Sequence, residues 1–288
     1  MLMGNSGEIF LFTDTHIAFV GGGNMAGSLI GGLLHQGLNA THIHVADPNA
    51  SQLQHLRQRF TVHTYTDNLS AVRDVQVVVF AVKPQVFRDA ARPLAVTLAK
   101  NRPLIISIAA GIPEKNIRRW LGYDAAIVRV VPNTPALIGA GAAALYANPI
   151  VSSAQRTLAK DIFEAVGLAL WLDDEILMDA VTAVSGSGPA YFFLLMEIME
   201  AGARELGLPA DIARQLVQQT AYGAACMALD SRDDPAALRK QVTSPGGTTA
   251  AALKILEAGK LRELFLRALT AARDRGVELS NEFGKEGS

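Results

Sequence analysis

The sequence predicts two domains of different class: an α/β domain with a doubly wound parallel sheet, then an all-α domain. Three observations predict this. Short apolar runs at 17–20, 75–82, 104–108 and 126–131 alternate with segments of helical period, the rhythm of repeated β-α-β units. Three glycines, Gly21-Gly22-Gly23, join the first apolar run to a helical stretch. After Asp173-Asp174-Glu175 no strand pattern recurs before Ser288.

Residues 1–15 read as a flexible leader. The strand at 17–20 runs into Gly21-Gly22-Gly23-Asn24-Met25-Ala26, and a helix follows over 28–34. This is G-x-G-x-x-A in the strand-to-helix setting that the dinucleotide fingerprint requires, so residues 16–172 are expected to form a Rossmann domain. Gly21 permits the tight turn, Gly23 lets the backbone approach a pyrophosphate, and Ala26 lets helix and strand pack closely. A second strand at 43–46 ends on Asp47, the acid expected to meet the ribose hydroxyls. The reading continues with a helix at 51–60, an extended segment at 61–65 and a brief helix at 69–73. The strand at 75–82 ends at Lys83-Pro84, a helix covers 85–99, and the strand at 104–108 ends at Ala109-Ala110-Gly111. A helix at 114–121 precedes the strand at 126–131, which ends in Pro132-Asn133-Thr134-Pro135. A strand at 140–147, a helix at 153–166 and a strand at 169–172 complete the domain. The small or polar turns after the strands share the carboxyl edge of the sheet, where ligands sit in such folds.

Residues 173–288 read as helices at 175–184, from Pro189 to Leu206, and at 211–229, 235–243, 248–257 and 261–283. The run 180–196 is interrupted by Ser185-Gly186-Ser187-Gly188-Pro189 and reads as a buried helical hairpin, not a membrane span. Tyr191-Phe192-Phe193-Leu194-Leu195-Met196 is apolar on every side, so a helical dimer interface is expected. Pro245-Gly246-Gly247 breaks regular structure, and Thr248-Thr249 opens an alanine-rich helix. Free N–H groups at that helix start, with the hydroxyls of Ser244, Thr248 and Thr249, suit a small carboxylate. The plain alternative is an ordinary helix start after a turn.

Composition narrows the function. The chain has 288 residues, 50% hydrophobic, with net charge −1. There is no basic stripe, which argues against nucleic acid and anionic membrane as partners. No Lys or Arg precedes Arg57, so a signal-peptide n-region is not expected. The single Cys226 lies among small apolar residues and reads as a core residue in a reducing, cytoplasmic setting. All six histidines lie between His16 and His63, and His42 and His44 are expected to share a solvated strand face. No ligand spacing completes a metal site, and none is assigned.

Together, the fingerprint, the turn and the layout resemble the Δ1-pyrroline-5-carboxylate reductases, which catalyse the last step of proline synthesis. The resemblance covers residues 16–280. It rests on Gly21-Gly22-Gly23-Asn24-Met25, Ala81-Val82-Lys83-Pro84, Asn133-Thr134-Pro135, the run from Ala183 through Ser185-Gly186-Ser187-Gly188-Pro189-Ala190, and Ser244-Pro245-Gly246-Gly247-Thr248-Thr249. It implies NADPH or NADH as cofactor, held at Gly21, Gly22, Gly23, Asn24, Met25, Ala26, Asp47, Asn68, Ala81, Val82, Lys83, Pro84 and Ala110. It implies substrate contacts at Glu175, Ser244, Gly247, Thr248 and Thr249, with the Thr249 hydroxyl on the ring nitrogen as the catalytic group. It implies a homodimer interlocked through the helical domain, and such dimers often assemble into rings. Two positions depart from many relatives: Asp47-Pro48-Asn49 stands where small polar or basic residues suit a 2′-phosphate, and Gln241 stands where many have Asn. A β-hydroxyacid dehydrogenase of similar layout needs a lysine on the first long interdomain helix, yet no Lys or Arg occurs between Trp171 and Ala203. A nucleotide sensor without turnover has no use for the 244–249 turn.

Overall fold

The computed structural model describes residues 14–285, so most of the expected leader lies outside the described residues. The chain divides into two compact units. The first runs to Gly186 and takes back the chain from Ala272 onward; the second is Ser187–Ala271. By compactness the division thus lies after Gly186, and the end of the last helix goes with the first unit.

The first unit carries β1 (Ile17–Val20), β2 (Ile43–Ala46), β3 (His63–Tyr65), β4 (Val77–Phe80), β5 (Leu104–Ser107), β6 (Ile127–Val131), β7 (Gly141–Ala147) and β8 (Gly167–Leu172). They form one sheet in the order β3-β2-β1-β4-β5-β6-β7-β8. The expected parallel sheet is found with one correction: β7 runs antiparallel to β6. Only a short 3-10 turn, Thr134–Ile138, joins them, and a parallel return needs a crossover of a dozen residues or more.

Alternation along the strands sends side chains to opposite faces. Phe19, Val45, Val79 and Ile106 join Leu29, Leu33, Ile162 and Phe163 in one core, under α1 (Asn24–His35), α2 (Ala50–Phe60) and α7 (Ser153–Glu164). Ala18, Val20, Val78 and Phe80 join Phe87, Leu98, Ile117 and Trp120 in the other. That core lies under α3 (Asn68–Ala71), α4 (Pro84–Ala91), α5 (Ala95–Asn101) and α6 (Glu114–Leu121). Phe283, near the end of the chain, packs against this second core.

His42 departs from expectation. It ends a 3-10 turn, Ala40–His42, capped by Asn39, and so precedes β2 instead of alternating with His44 along it. The rings of His16 and His42 stack at 4.3 Å, those of His16 and His44 at 5.6 Å, and those of His44 and His63 at 5.3 Å. His44 Nδ1 lies 3.1 Å from the Tyr65 hydroxyl.

The expected hairpin at 180–196 is also corrected. After a 3-10 turn at Glu175–Leu177 come α8 (Met178–Val181), a π turn over Thr182–Gly186 and α9 (Gly188–Glu205). The π turn takes in Ser185 and Gly186, Ser187 follows as a bend, and Gly188 opens α9. Glu175–Glu205 is long and apolar enough to cross a membrane by length and composition alone, and only 11% of its most apolar window is buried. The second unit continues with α10 (Ala210–Asp230), α11 (Pro235–Gln241), α12 (Thr248–Ala258) and the start of α13 (Leu261–Lys285). Phe192 and Phe193 are 64% and 62% exposed on α9.

Candidate active site

Strand register sets the ligand edge. Val20 is level with Ala46 and Phe80, and Phe80 with Ser107. The ladder extends one step beyond the strands: Gly21 N–H donates to the Ala46 carbonyl and Ala81 N–H to the Val20 carbonyl, each at 2.8 Å. Ile108 N–H donates to the Phe80 carbonyl at 3.1 Å and Asp47 N–H to the Tyr65 carbonyl at 3.2 Å. The turns that begin at Gly21, Asp47, Ala81 and Ile108 therefore leave the sheet side by side, with Ala110 exposed just beyond. The strand order reverses between β1 and β4, the switch point at which a doubly wound sheet opens its crevice.

The fingerprint loop is shaped by close approach. Gly21 has φ +101°, and a Cβ there would lie 2.6 Å from the Ala81 carbonyl oxygen. Gly23 caps α1 in extended conformation without a side-chain cap, and its surroundings are open. The first helical bond is Gly27 N–H to the Gly23 carbonyl, at 2.9 Å. The N–H groups of Asn24, Met25 and Ala26 thus have no helical carbonyl and stand at the positive end of the helix, an arrangement fitted to a diphosphate. Ala26 is fully buried beneath them.

Asp47 proves to brace this loop. Its Oδ2 accepts from Gly22 N–H and its Oδ1 from Asn49 N–H, each at 2.8 Å. Gln52 Nε2 closes the other side on the Gly22 carbonyl at 2.6 Å. The Asn49 side chain caps α2, accepting from the N–H groups of Ser51 and Gln52. Arg57 points its guanidinium at the Thr64 hydroxyl. Lys83 caps the start of α4, without a side-chain bond and with Pro84 following. Asn68 opens α3, whose cap is Asp67.

Glu175 lies in the first unit, and one of its carboxylate oxygens accepts two bonds. Its Oε1 accepts from Glu114 N–H at 2.6 Å and from Arg129 Nη1 at 2.8 Å. Arg129 is 5% exposed, so the pair is buried on one side. Asn148 extends the network, donating to Glu114 Oε1 and to the Ala125 carbonyl, each at 2.9 Å. Burial pushes the nearby Asp179 carboxyl up, Arg129 opposes that, and Glu175 adds to it. The sequence reading missed Arg129, although one arginine inside an otherwise apolar strand was the available signal.

In the second unit, Gly247 N–H bonds the Ser244 carbonyl at 3.0 Å, closing the turn. Gly246 is the left-handed residue, at φ +71°, whereas Gly247 is extended at φ −81° and caps α12 without a side-chain bond. The first helical bond is Ala251 N–H to the Gly247 carbonyl, so the N–H groups of Thr248, Thr249 and Ala250 lack helical partners. Ser244 and Thr248 are exposed and Thr249 half-buried. Side chains cap α2, α3, α7 and α11. The fingerprint helix and α12 are capped by glycine backbone alone. Gln241 is held by Asp233, Nε2 to Oδ2 at 2.7 Å.

Residues 175–279 match the family model described as pyrroline-5-carboxylate reductase dimerisation. Residues 16–111 match the model for NADP oxidoreductase, coenzyme F420-dependent. A pyrroline-5-carboxylate reductase of Pseudomonas aeruginosa is 51% identical over 93% of this chain and 98% of its own. One from Haemophilus influenzae is 42% identical over 93% and 98%. The solved pyrroline-5-carboxylate reductase of Coxiella burnetii superposes with a TM-score of 0.88 at 43% identity, covering 92% of this chain and 98% of that one. That of Plasmodium falciparum, solved with NADP bound, gives 0.83 at 28% identity, over 93% and 99%. Sequence, fold and turn geometry agree: the chain belongs to the pyrroline-5-carboxylate reductase family.

Proposed function

We infer that the protein reduces 1-pyrroline-5-carboxylate to L-proline with NADH or NADPH. The observation that carries this reading is the pair of glycine-capped helix starts. One follows β1 and is shaped for a diphosphate; the other, at 244–249, is shaped for a carboxylate. When bound there, a reduced nicotinamide would supply a hydride to the C=N carbon, with the ring nitrogen taking up one proton from water or arriving already protonated. The cyclic imine is electrophilic from the outset, so the protein's task is to hold and align, worth about 7–11 kcal/mol when done well. In this reading Ser244 and the N–H groups of Gly247, Thr248 and Thr249 hold the carboxylate. The Thr249 hydroxyl bonds the ring nitrogen. Gly21–Ala26, Asp47, Asn68, Ala81–Pro84 and Ala110 hold the cofactor, supported by the shared edge and by the open space over Gly23. Glu175 Oε1 is engaged with Arg129, and the substrate contact of Glu175 belongs to the same proposal.

The reading includes a cytoplasmic homodimer through the helical unit, supported by the dimerisation match and by the exposed apolar face of α9. A ring of such dimers and the absence of a membrane partner belong to the same proposal. The test is loss of reduced-nicotinamide absorbance on adding the imine, with NADH and NADPH in turn. No loss with either cofactor rejects the reading.

A further inference from the structure

We propose that Asn133 is a positioning residue of this reaction. Its side-chain amide gives the Ser185 carbonyl the hydrogen bond that Pro189 cannot give, and so fixes the wide turn Thr182–Gly186 at the ligand edge of the sheet. The proposal rests on the reductase reading above. In an α-helix the carbonyl of Ser185 takes its bond from residue 189, and in a π turn from residue 190. Residue 189 is proline and has no N–H. The N–H of Ala190 is committed to the Ser187 carbonyl at 3.0 Å. Asn133 Nδ2 meets the Ser185 carbonyl instead, at 3.0 Å.

The other end of the same amide is also fixed. Asn133 Oδ1 accepts from Ala142 N–H, at the start of β7, at 2.9 Å. A backbone N–H only donates and a carbonyl only accepts, so the two partners together dictate which way the amide points. Asn133 is 9% exposed, and water is poorly placed to replace either partner. The hydroxyls of the turn cannot substitute for it. Thr182 Oγ1 donates to the Met178 carbonyl and Ser185 Oγ to the Val181 carbonyl, both within the helical run. A second point of contact lies beside the clasp: a Cβ on Gly186 would stand 3.4 Å from Val131 Cγ1, at the end of β6.

Position links the clasp to the reaction. β6 is parallel to β5, so it delivers Asn133 to the same edge as the turns after β4 and β5. In a doubly wound sheet that second half of the edge takes the second nucleotide of a dinucleotide, here the nicotinamide side. π turns recur at functional sites because they re-aim backbone groups that a regular helix would bury. A slack turn blurs the pose from which hydride leaves, and leaves the diphosphate cradle at Gly21–Ala26 untouched.

The test compares Asn133→Ala, Asn133→Asp, Pro189→Ala and the double variant Asn133→Ala/Pro189→Ala. Cofactor affinity, kcat and KM for the imine, and amide exchange across 182–190 are measured on each. For Asn133→Ala we expect kcat to fall about tenfold while cofactor affinity stays within about twofold. Asn133→Asp should fall at least as far, because a carboxylate oxygen would face the Ser185 carbonyl. Pro189→Ala alone should resemble the parent. In the double variant the new N–H at 189 serves the Ser185 carbonyl and should restore kcat to within about threefold. A general folding defect would lower cofactor sites and kcat together and would not respond to residue 189. Unchanged kcat in Asn133→Ala, no relief by Pro189→Ala, or parallel loss of cofactor sites each overturns the proposal. If the parent protein does not reduce the imine, the reductase reading fails on its own. Amide exchange then decides the clasp: faster in Asn133→Ala and slowed again in the double variant supports it, and unchanged exchange overturns it.

Discussion

Thr249 combines two roles: its N–H belongs to the open start of α12, and its hydroxyl is assigned to the ring nitrogen. Thr249→Val keeps shape and deletes only the hydroxyl. A lost bond to a charged partner costs about 1.5–3 kcal/mol, so kcat/KM should fall roughly 10- to 150-fold. NADH affinity should hold, since the fingerprint lies in the other unit; full kcat/KM in this variant would remove the turn from the mechanism. The backbone at 246 is the sensitive glycine. At φ +71° a β-branched residue is strained by about 1–2 kcal/mol, so Gly246→Val should disturb the turn through its backbone. Gly247→Val instead meets the Ser244 oxygen, 3.2 Å from its Cβ, and should raise KM. Asp47 bonds Gly22 N–H, and in the proposed function it meets the ribose as well. NADH should serve at least as well as NADPH, and Asp47→Ser should move the ratio towards NADPH while weakening both. A tenfold preference of the parent for NADPH would contradict this role. The acid was legible in the sequence because the fingerprint reserves its place. Its grip on Gly22 was not, because a bond to backbone twenty-five residues away leaves no local pattern.

Elements were legible where period and punctuation agree. The strands at 17–20 and 43–46 and the helix at 114–121 have the expected bounds. Strand direction was not legible, since alternation is the same either way, and β7 reverses only because nine residues leave no room for a crossover. The Ser-Gly-Ser-Gly stretch read as a hairpin because glycine and serine usually end helices, yet Ser185 and Gly186 sit in a π turn and only Ser187 separates it from α9. The histidine cluster is assembled from β2, β3 and the segments that lead into β1 and β2. Burial first, then His63, His16 and His42, lowers the His44 pKa from 6.5 to about 4. The unfolded chain therefore binds its proton first as pH falls. The stabilising contribution is complete above pH 6.5 and drains away between 6.5 and about 4. His44 is only partly buried, so the loss is discounted to about 1–2 kcal/mol. Urea midpoints at about pH 7.5 and about pH 5 should differ accordingly, and His44→Phe should narrow the gap. An equal gap in both proteins would assign the acid sensitivity elsewhere.

For the whole molecule, the apolar face of α9 calls for a partner. Phe193→Asp places a charge where the dimer is expected to close, and aggregation or an inactive monomer should result. A soluble, active monomer by light scattering at micromolar concentration would sink the dimer reading. The last helix raises a different matter. A Cβ on Gly111 would touch Leu279, a Cβ on Gly276 would stand 3.1 Å from Asp179 Oδ1, and Phe283 seals the second core. Removing residues 272–288 should cost the nucleotide-binding unit about 2–3 kcal/mol of apolar burial, read as a lower melting temperature with the sheet intact. On the ribosome, a sheet made early is finished by residues made well after it. The sheet can form as it emerges, but one flank stays bare until residues 272–285 follow. A nascent chain stalled before Leu279 should therefore depend on chaperones more than its complete sheet would suggest.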